Sequence, residues 1–299
     1  MSGASPPVTV PLSGRRADAA TGGLALLLAP ATLIWLGGFL FPLVGLGAQS
    51  LRQFTPGRVG VVADAPFTVD NYRELLNGPF AEVLYTTFWI GALAAAISLS
   101  IAFPLAYAIV RRFSPRWRTL CIGAMITLVL SSILVKTYAI ELTFGSVGIT
   151  RPLLLWLGIP PNGRATIEAV VVAGLVHAIV PVAVLTLIGA IQSIDPRLAD
   201  AAQSLGAPAW RAHLTVTLPL ARAALSSSFL VSLTFAISAF VIPMVLGRGR
   251  VLFMSNIIYT RFSDIANYPS GAAVSLAMLA VSMLVIAGIS FVNGRSARA

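Results

Sequence analysis

The chain has 299 residues, 57% of them apolar and only 10% charged, with a mean hydropathy of +0.89. A soluble domain carries about 25% charged residues, so a water-exposed surface for a chain of this size cannot be built; an ordinary cytosolic enzyme and a disordered chain are excluded, and an integral membrane protein remains. The net charge of +10 does not point to nucleic acid, because the basic residues sit in short clusters between long apolar runs.

Residues 1–22 are rich in Ser, Pro, Gly and Ala and read as a flexible tail. Charge-free stretches then follow at 19–51, 83–110, 119–135, 169–194, 223–247 and 265–294. Crossing ~30 Å of hydrocarbon at ~1.5 Å per residue takes about 20 apolar residues. The pattern predicts six transmembrane helices, near 23–48, 84–110, 119–140, 169–192, 224–245 and 272–292. The third is the shortest run, and it reaches full length only if Lys136 snorkels outward and the helix continues to Ile140. The first run exceeds the about 7–15 residues of a signal-peptide core and reads as a span. Residues 23–292 thus form an all-α, six-helix transmembrane domain, with a second short tail at 293–299.

An even number of spans places both termini on one side. That side carries eleven Arg (15, 16, 111, 112, 116, 118, 197, 211, 222, 295 and 298) against Asp18, Asp195 and Asp200, a net of +8. The other side carries nine basic and seven acidic residues, a net of +2. The positive-inside rule makes the first side cytoplasmic.

Residues 195–222, between the fourth and fifth spans, do not read as a linker. Asp195-Pro196 is an N-cap followed by Pro at the first helical position. Leu198, Ala201, Ala202 and Leu205 recur at helical spacing, and Gly206 stands where a left-handed residue ends a helix. Pro208 can open a second helix bearing Trp210 and Leu214 four apart, and Pro219 bends or ends it. The pattern alone also fits an amphipathic hairpin lying on lipid.

Asp200-Ala201-Ala202, three residues, Gly206, nine residues, then Val216-x-Leu218-Pro219 resembles the EAA loop of binding-protein-dependent ABC importer permeases. Ile194-Asp195-Pro196, Val135-Lys136-Thr137-Tyr138-Ala139, His177 with Pro181, and Phe240 to Gly247 are similar to the spermidine/putrescine-type branch. Asp200 replaces the usual Glu, Lys136 the usual Arg, His213 an aromatic or bulky apolar residue, and Ala223-Ala224 a common Pro-Gly; the spacing is intact. The resemblance implies a type I ABC importer (MetI-like) transmembrane fold in a bacterial inner membrane. It implies four kinds of partner besides the bilayer: an ABC ATPase dimer, a second permease (identical or homologous), an extracytoplasmic solute-binding protein and a small-molecule substrate. It implies a coupling helix built on Asp200, Ala201, Ala202, Gly206, Trp210, Leu214, Leu218 and Pro219. A polyamine such as spermidine or putrescine is the favoured substrate, although similar permeases move opines, iron, thiamine and phosphonates.

Candidates for the translocation path or its gate are Lys136, Tyr138 and Glu141 at the outer end of the third span, and Ser232, Thr234, Ser238 and Pro243 on the fifth. The hydroxyl residues fit helix packing equally well. His177 reads as a helix-packing group that hydrogen-bonds a neighbouring span. No catalytic set is visible: the only lysine, Lys136, lacks the glycines of a P-loop, and two His with one Cys make no typical zinc site. No cofactor is expected, and ATP hydrolysis is assigned to a partner. A secondary transporter remains the alternative, although apart from His177 the spans show no midplane ionisable group for a coupling ion.

Overall fold

The computed structural model describes residues 28–58, 65–76 and 78–296; for 78, 209, 210, 213 and 292–296 only the backbone is described. Both expected tails fall largely outside these residues. The chain divides into residues 1–49 and 50–299. The described part of the first lies in one apolar helix, α1 (Leu28–Ser50), whose last residue opens the second unit; Gly37 and Gly38 stand in a π-helical turn, Leu36–Leu40.

In the second unit the elements in order are α2 (Asp70–Leu75), α3 (Gly78–Arg111), α4 (Pro115–Leu130), α5 (Ile133–Phe144), α6 (Arg151–Trp156) and α7 (Arg164–Ser193). They continue with α8 (Arg197–Ser204), α9 (Ala209–Ala212), α10 (Arg222–Ser238), α11 (Val241–Leu246), α12 (Met254–Tyr259) and α13 (Tyr268–Ser296). Among the described residues, α1, α3, α7 and α13 are each long and apolar enough to cross a membrane, and two bent pairs bring the number to six when each counts as one crossing.

The core is the α3–α7 pair. Ala94, Ser98, Ala102 and Ala106 recur every four residues on α3, each fully buried. This small-residue stripe lets α7 approach closely, the usual basis of helix association in lipid, where burying apolar area gains little. Val184, Leu187 and Ile191 of α7 fill the space against Ala102, Ala106 and Ile109. Helix α10 packs on both, and its Ser228 hydroxyl lies 3.0 Å from that of Thr186 on α7.

Two expected spans are not continuous helices. The third breaks at Ser131 and Ser132, whose ψ values of 145° and 124° turn α5 by 92° from α4. The fifth breaks after α10 at Ala239, and α11 follows. Pro243 explains the second break. It has no N–H for the carbonyl four residues back, so the Ala239 carbonyl accepts the Ser255 hydroxyl at 2.7 Å instead. The Phe240 carbonyl likewise accepts from the Asn256 amide at 3.2 Å. Irregular backbone at membrane depth persists only where such partners satisfy it.

Candidate coupling loop and translocation path

The hairpin between α7 and α10 starts with Asp195, whose Oδ1 accepts the Arg197 N–H at 2.9 Å and so caps α8. Helix α8 ends in a Schellman motif: the Ala207 N–H donates to the Ala202 carbonyl (3.2 Å) and the Gly206 N–H to the Gln203 carbonyl (2.9 Å). Gly206 has φ 91°, a conformation that glycine adopts without steric cost. Arg211 and Ala212 then donate to the Pro208 carbonyl to open α9. The second helix expected from the sequence is real but irregular: α9 passes into a π-helical turn, His213–Thr217, and the helix runs through Pro219 to Leu220 before a 58° bend at Ala221 into α10.

Asp200, Ala201, Gly206 and Pro219 are exposed, and Ala202 and Leu218 are half-buried. Of Trp210 only the backbone is described. Leu198, Leu205 and Leu214 are 47%, 90% and 55% exposed. Asp200 makes no ion pair with a described residue. The hairpin therefore presents leucines and one free carboxylate on a single short, well-capped unit.

At the opposite end of the fifth span the two helix breaks share an open cleft of about 590 Å³, lined by Ile133, Thr234, Phe235, Ser238, Phe240 and Ile242 among others, with no charged residue among its lining. Thr234 and Ser238 lie one turn apart and also border a second cleft of about 420 Å³. Ser232 is separated from them: it is buried on another face of α10, and its hydroxyl has no partner among the described residues.

Beside the cleft, α5 packs on α11, and a bidentate ion pair joins their ends. Arg248 Nε and Nη2 each lie 3.0 Å from a Glu141 carboxylate oxygen. Arg248 Nη1 also donates to the Asn162 side chain at 3.2 Å, and Arg250 donates to the Asn162 carbonyl. The turn carrying Arg248 is tight. A Cβ on Gly247 would collide with the Val251 and Pro243 carbonyls, and Arg248 itself has φ 48°. The Glu141 and Arg248 side chains are only 23% and 17% exposed, whereas those of Arg164 and Glu82 are 56% and 62% exposed. The first pair is shielded enough to matter; the second contributes little.

Two sequence expectations change here. The Lys136 side chain does not extend a continuous third span but turns back toward α4. It is half-buried, and its ammonium donates to the Leu128 carbonyl at 2.7 Å, a carbonyl whose helical donor the break removed. The Ser131 hydroxyl donates there as well, at 2.9 Å. His177 has no hydrogen bond to another helix among the described residues; it is exposed on α7, whose close-packed faces are filled by apolar side chains. Tyr138 is exposed on α5 and Pro243 is buried in α11.

Residues 152–298 match the family described as binding-protein-dependent transport system inner membrane component. Over 223 residues the chain is 30% identical to the spermidine/putrescine transport system permease protein PotB of Haemophilus influenzae, covering 74% of this chain and 78% of that one. It is 27% identical over 257 residues to PotB of Escherichia coli (strain K12), covering 84% and 91%. The backbone is similar to that of a bacterial ABC transporter involved in the import of the acidic polysaccharide alginate, with a TM-score of 0.72, 18% identity and coverage of 95% and 99%. The helical membrane body and these likenesses define the class. The chain belongs to the binding-protein-dependent ABC importer permeases, a family of multi-pass inner-membrane subunits. Such a permease is not an enzyme; the ATPase of the system is a separate subunit.

Proposed function

We propose that residues 23–292 form, with a second permease subunit of the same fold, the membrane path for a polyamine such as spermidine or putrescine, with residues 1–22 and 293–299 as cytoplasmic tails. The observation that carries the substrate class is the 30% identity to PotB over most of both chains. The cleft lining bears no carboxylate to grip a polycation, so selection among cations falls to the binding protein. Uptake of radiolabelled spermidine by the assembled system tests this reading. Excess unlabelled putrescine is expected to suppress uptake at least about tenfold more effectively than excess arginine, as a change of about 1.4 kcal/mol in relative affinity would. Absence of spermidine uptake by a system that imports another solute would overturn it.

The hairpin at 195–222 is read as the coupling element that docks on an ATPase dimer. Three exposed leucines on one capped unit offer apolar side chains to a partner, which supports this reading. Thr234 and Ser238 then line the path, while Tyr138, Glu141, Pro243 and Lys136 belong to the outer gate formed by the two broken spans.

This reading puts 111–118 and both termini in the cytoplasm and 142–168 outside, in keeping with the charge asymmetry. Cysteines at Ser114 and Val147, both exposed, in a Cys121→Ala background check it. An impermeant thiol reagent added to intact cells is expected to label position 147 and spare 114; the reverse pattern would refute the orientation.

A further inference from the structure

Arg111 is the last residue of α3. Its guanidinium leaves its own helix and reaches the far end of α7, where Nη2 donates to the Ile191 carbonyl at 2.7 Å and to the Ile194 carbonyl. The last turn of any helix has carbonyls without intrahelical donors. Among the described residues the Ile191 carbonyl otherwise meets only the Ile194 N–H, at 3.4 Å. A permanently charged donor at this negative end of the helix dipole forms strong, charge-assisted hydrogen bonds.

The location gives these bonds a consequence. Ile194 is followed at once by Asp195 and Pro196, which start the hairpin. Arg111 lies beside a small cavity of about 10 Å³ that is also lined by Pro196, Leu198 and Ala199 from the first arm of the hairpin and Val216 and Thr217 from the second. Both arms thus border the same small cavity as Arg111. Behind it, α3 and α7 are the most tightly interlocked helices of the unit, joined by the Ala102, Ala106 and Ile109 contacts with Val184, Leu187 and Ile191.

We infer that Arg111 is a positioning residue for transport: it fixes the hairpin to the α3–α7 body, so that displacement of the hairpin is carried into the spans. This rests on the reading of residues 195–222 as the ATPase-docking element. Without Arg111 the hairpin keeps its own caps and its exposed leucines, so it still docks. The push it receives is taken up by a loosened joint at residues 191–196.

The experiment uses the assembled importer, with Arg111→Met, Arg111→Lys, Arg112→Met and Gly206→Val. Arg112 is exposed and controls for loss of one cytoplasmic charge. Arg111→Met is expected to recover the ATPase subunit normally in pull-down with tagged permease. Its stimulation of ATPase by the binding protein and its uptake should fall about tenfold, the scale of a lost hydrogen bond to a charged group. Arg111→Lys should recover part of both, because an ammonium can donate to the same carbonyls, and Arg112→Met should behave as the parent. Normal uptake and stimulation in Arg111→Met overturns the proposal. So does loss of ATPase pull-down in that variant, which would make Arg111 a residue needed only to fold the hairpin. If Gly206→Val docks and transports normally, the docking reading itself fails. If Gly206→Val is defective while Arg111→Met is normal, only the role of Arg111 fails.

Discussion

Gly206→Val is expected to abolish most uptake while leaving the protein inserted in the membrane at the parental level. The reason is local. Gly206 lies at φ 91° at the end of α8, and no heavy atom stands within 4 Å of where a Cβ would go. The cost is therefore backbone strain, of about 1–3 kcal/mol for a β-branched side chain, and collision contributes nothing. The hairpin relieves that strain by opening the Schellman turn, which redirects α9 relative to α8. All spans lie outside the affected turn, so insertion is unchanged. Gly206→Ala should be milder, and Asp200→Arg, which reverses the one free carboxylate of the hairpin, should weaken ATPase binding at a geometrically intact turn. Pull-down of the ATPase subunit, measured beside uptake, decides the matter. Full recovery and normal uptake for Gly206→Val and Asp200→Arg would remove the hairpin from the coupling path; a hairpin that merely rests on lipid would give that result.

The second large effect is expected at the Glu141–Arg248 pair. Both side chains are mostly shielded, and the contact is bidentate at 3.0 Å. Removing one partner strands the other charge, and a cost of about 2 kcal/mol is appropriate for a pair that keeps some solvent contact. The ends of α5 and α11 then separate more often. A cysteine replacing Ser238 in the cleft, in a Cys121→Ala background, reports this. With Glu141→Ala its reaction with an external impermeant thiol reagent should accelerate about tenfold or more, the factor that ~1.4 kcal/mol gives. Combining Glu141→Arg with Arg248→Glu should restore slow labelling. A labelling rate indifferent to Glu141 would show that the pair does not hold the gate.

The sequence carried a large part of this architecture in two simple signals. Runs free of charge located the spans, and cap chemistry located the hairpin: Asp195-Pro196 and Gly206 begin and end α8 where their backbone preferences require. The break of the fifth span was also readable, since Pro243 cannot serve the Ala239 carbonyl. The break of the third was not. Ser131 and Ser132 include neither Pro nor Gly, and the turn there is stabilised by Lys136 and Ser131 on the Leu128 carbonyl, an arrangement with no fixed spacing signature. Long-range ties were equally hidden. Glu141 meets Arg248 across 107 positions and Arg111 meets Ile191 across 80; in the sequence Arg111 is only one of four arginines clustered at 111–118. The Ala94-Ser98-Ala102-Ala106 stripe was visible as a four-residue repeat of small side chains, and such a repeat marks where a neighbouring helix comes close.

The right angle between α4 and α5 has a mechanical meaning. A straight rod turned about its own axis moves nothing at its tip, but a rod bent at 92° is a crank. Helix α5 has 12 residues, an arm of about 18 Å at ~1.5 Å per residue. Turning α4 by ~10° about its axis sweeps the far end of that arm sideways by ~3 Å, roughly the length of one hydrogen bond. Glu141 rides on the arm near its tip. A modest twist along the shaft is therefore enough to carry its carboxylate out of reach of Arg248, with no helix needing to slide through the bilayer.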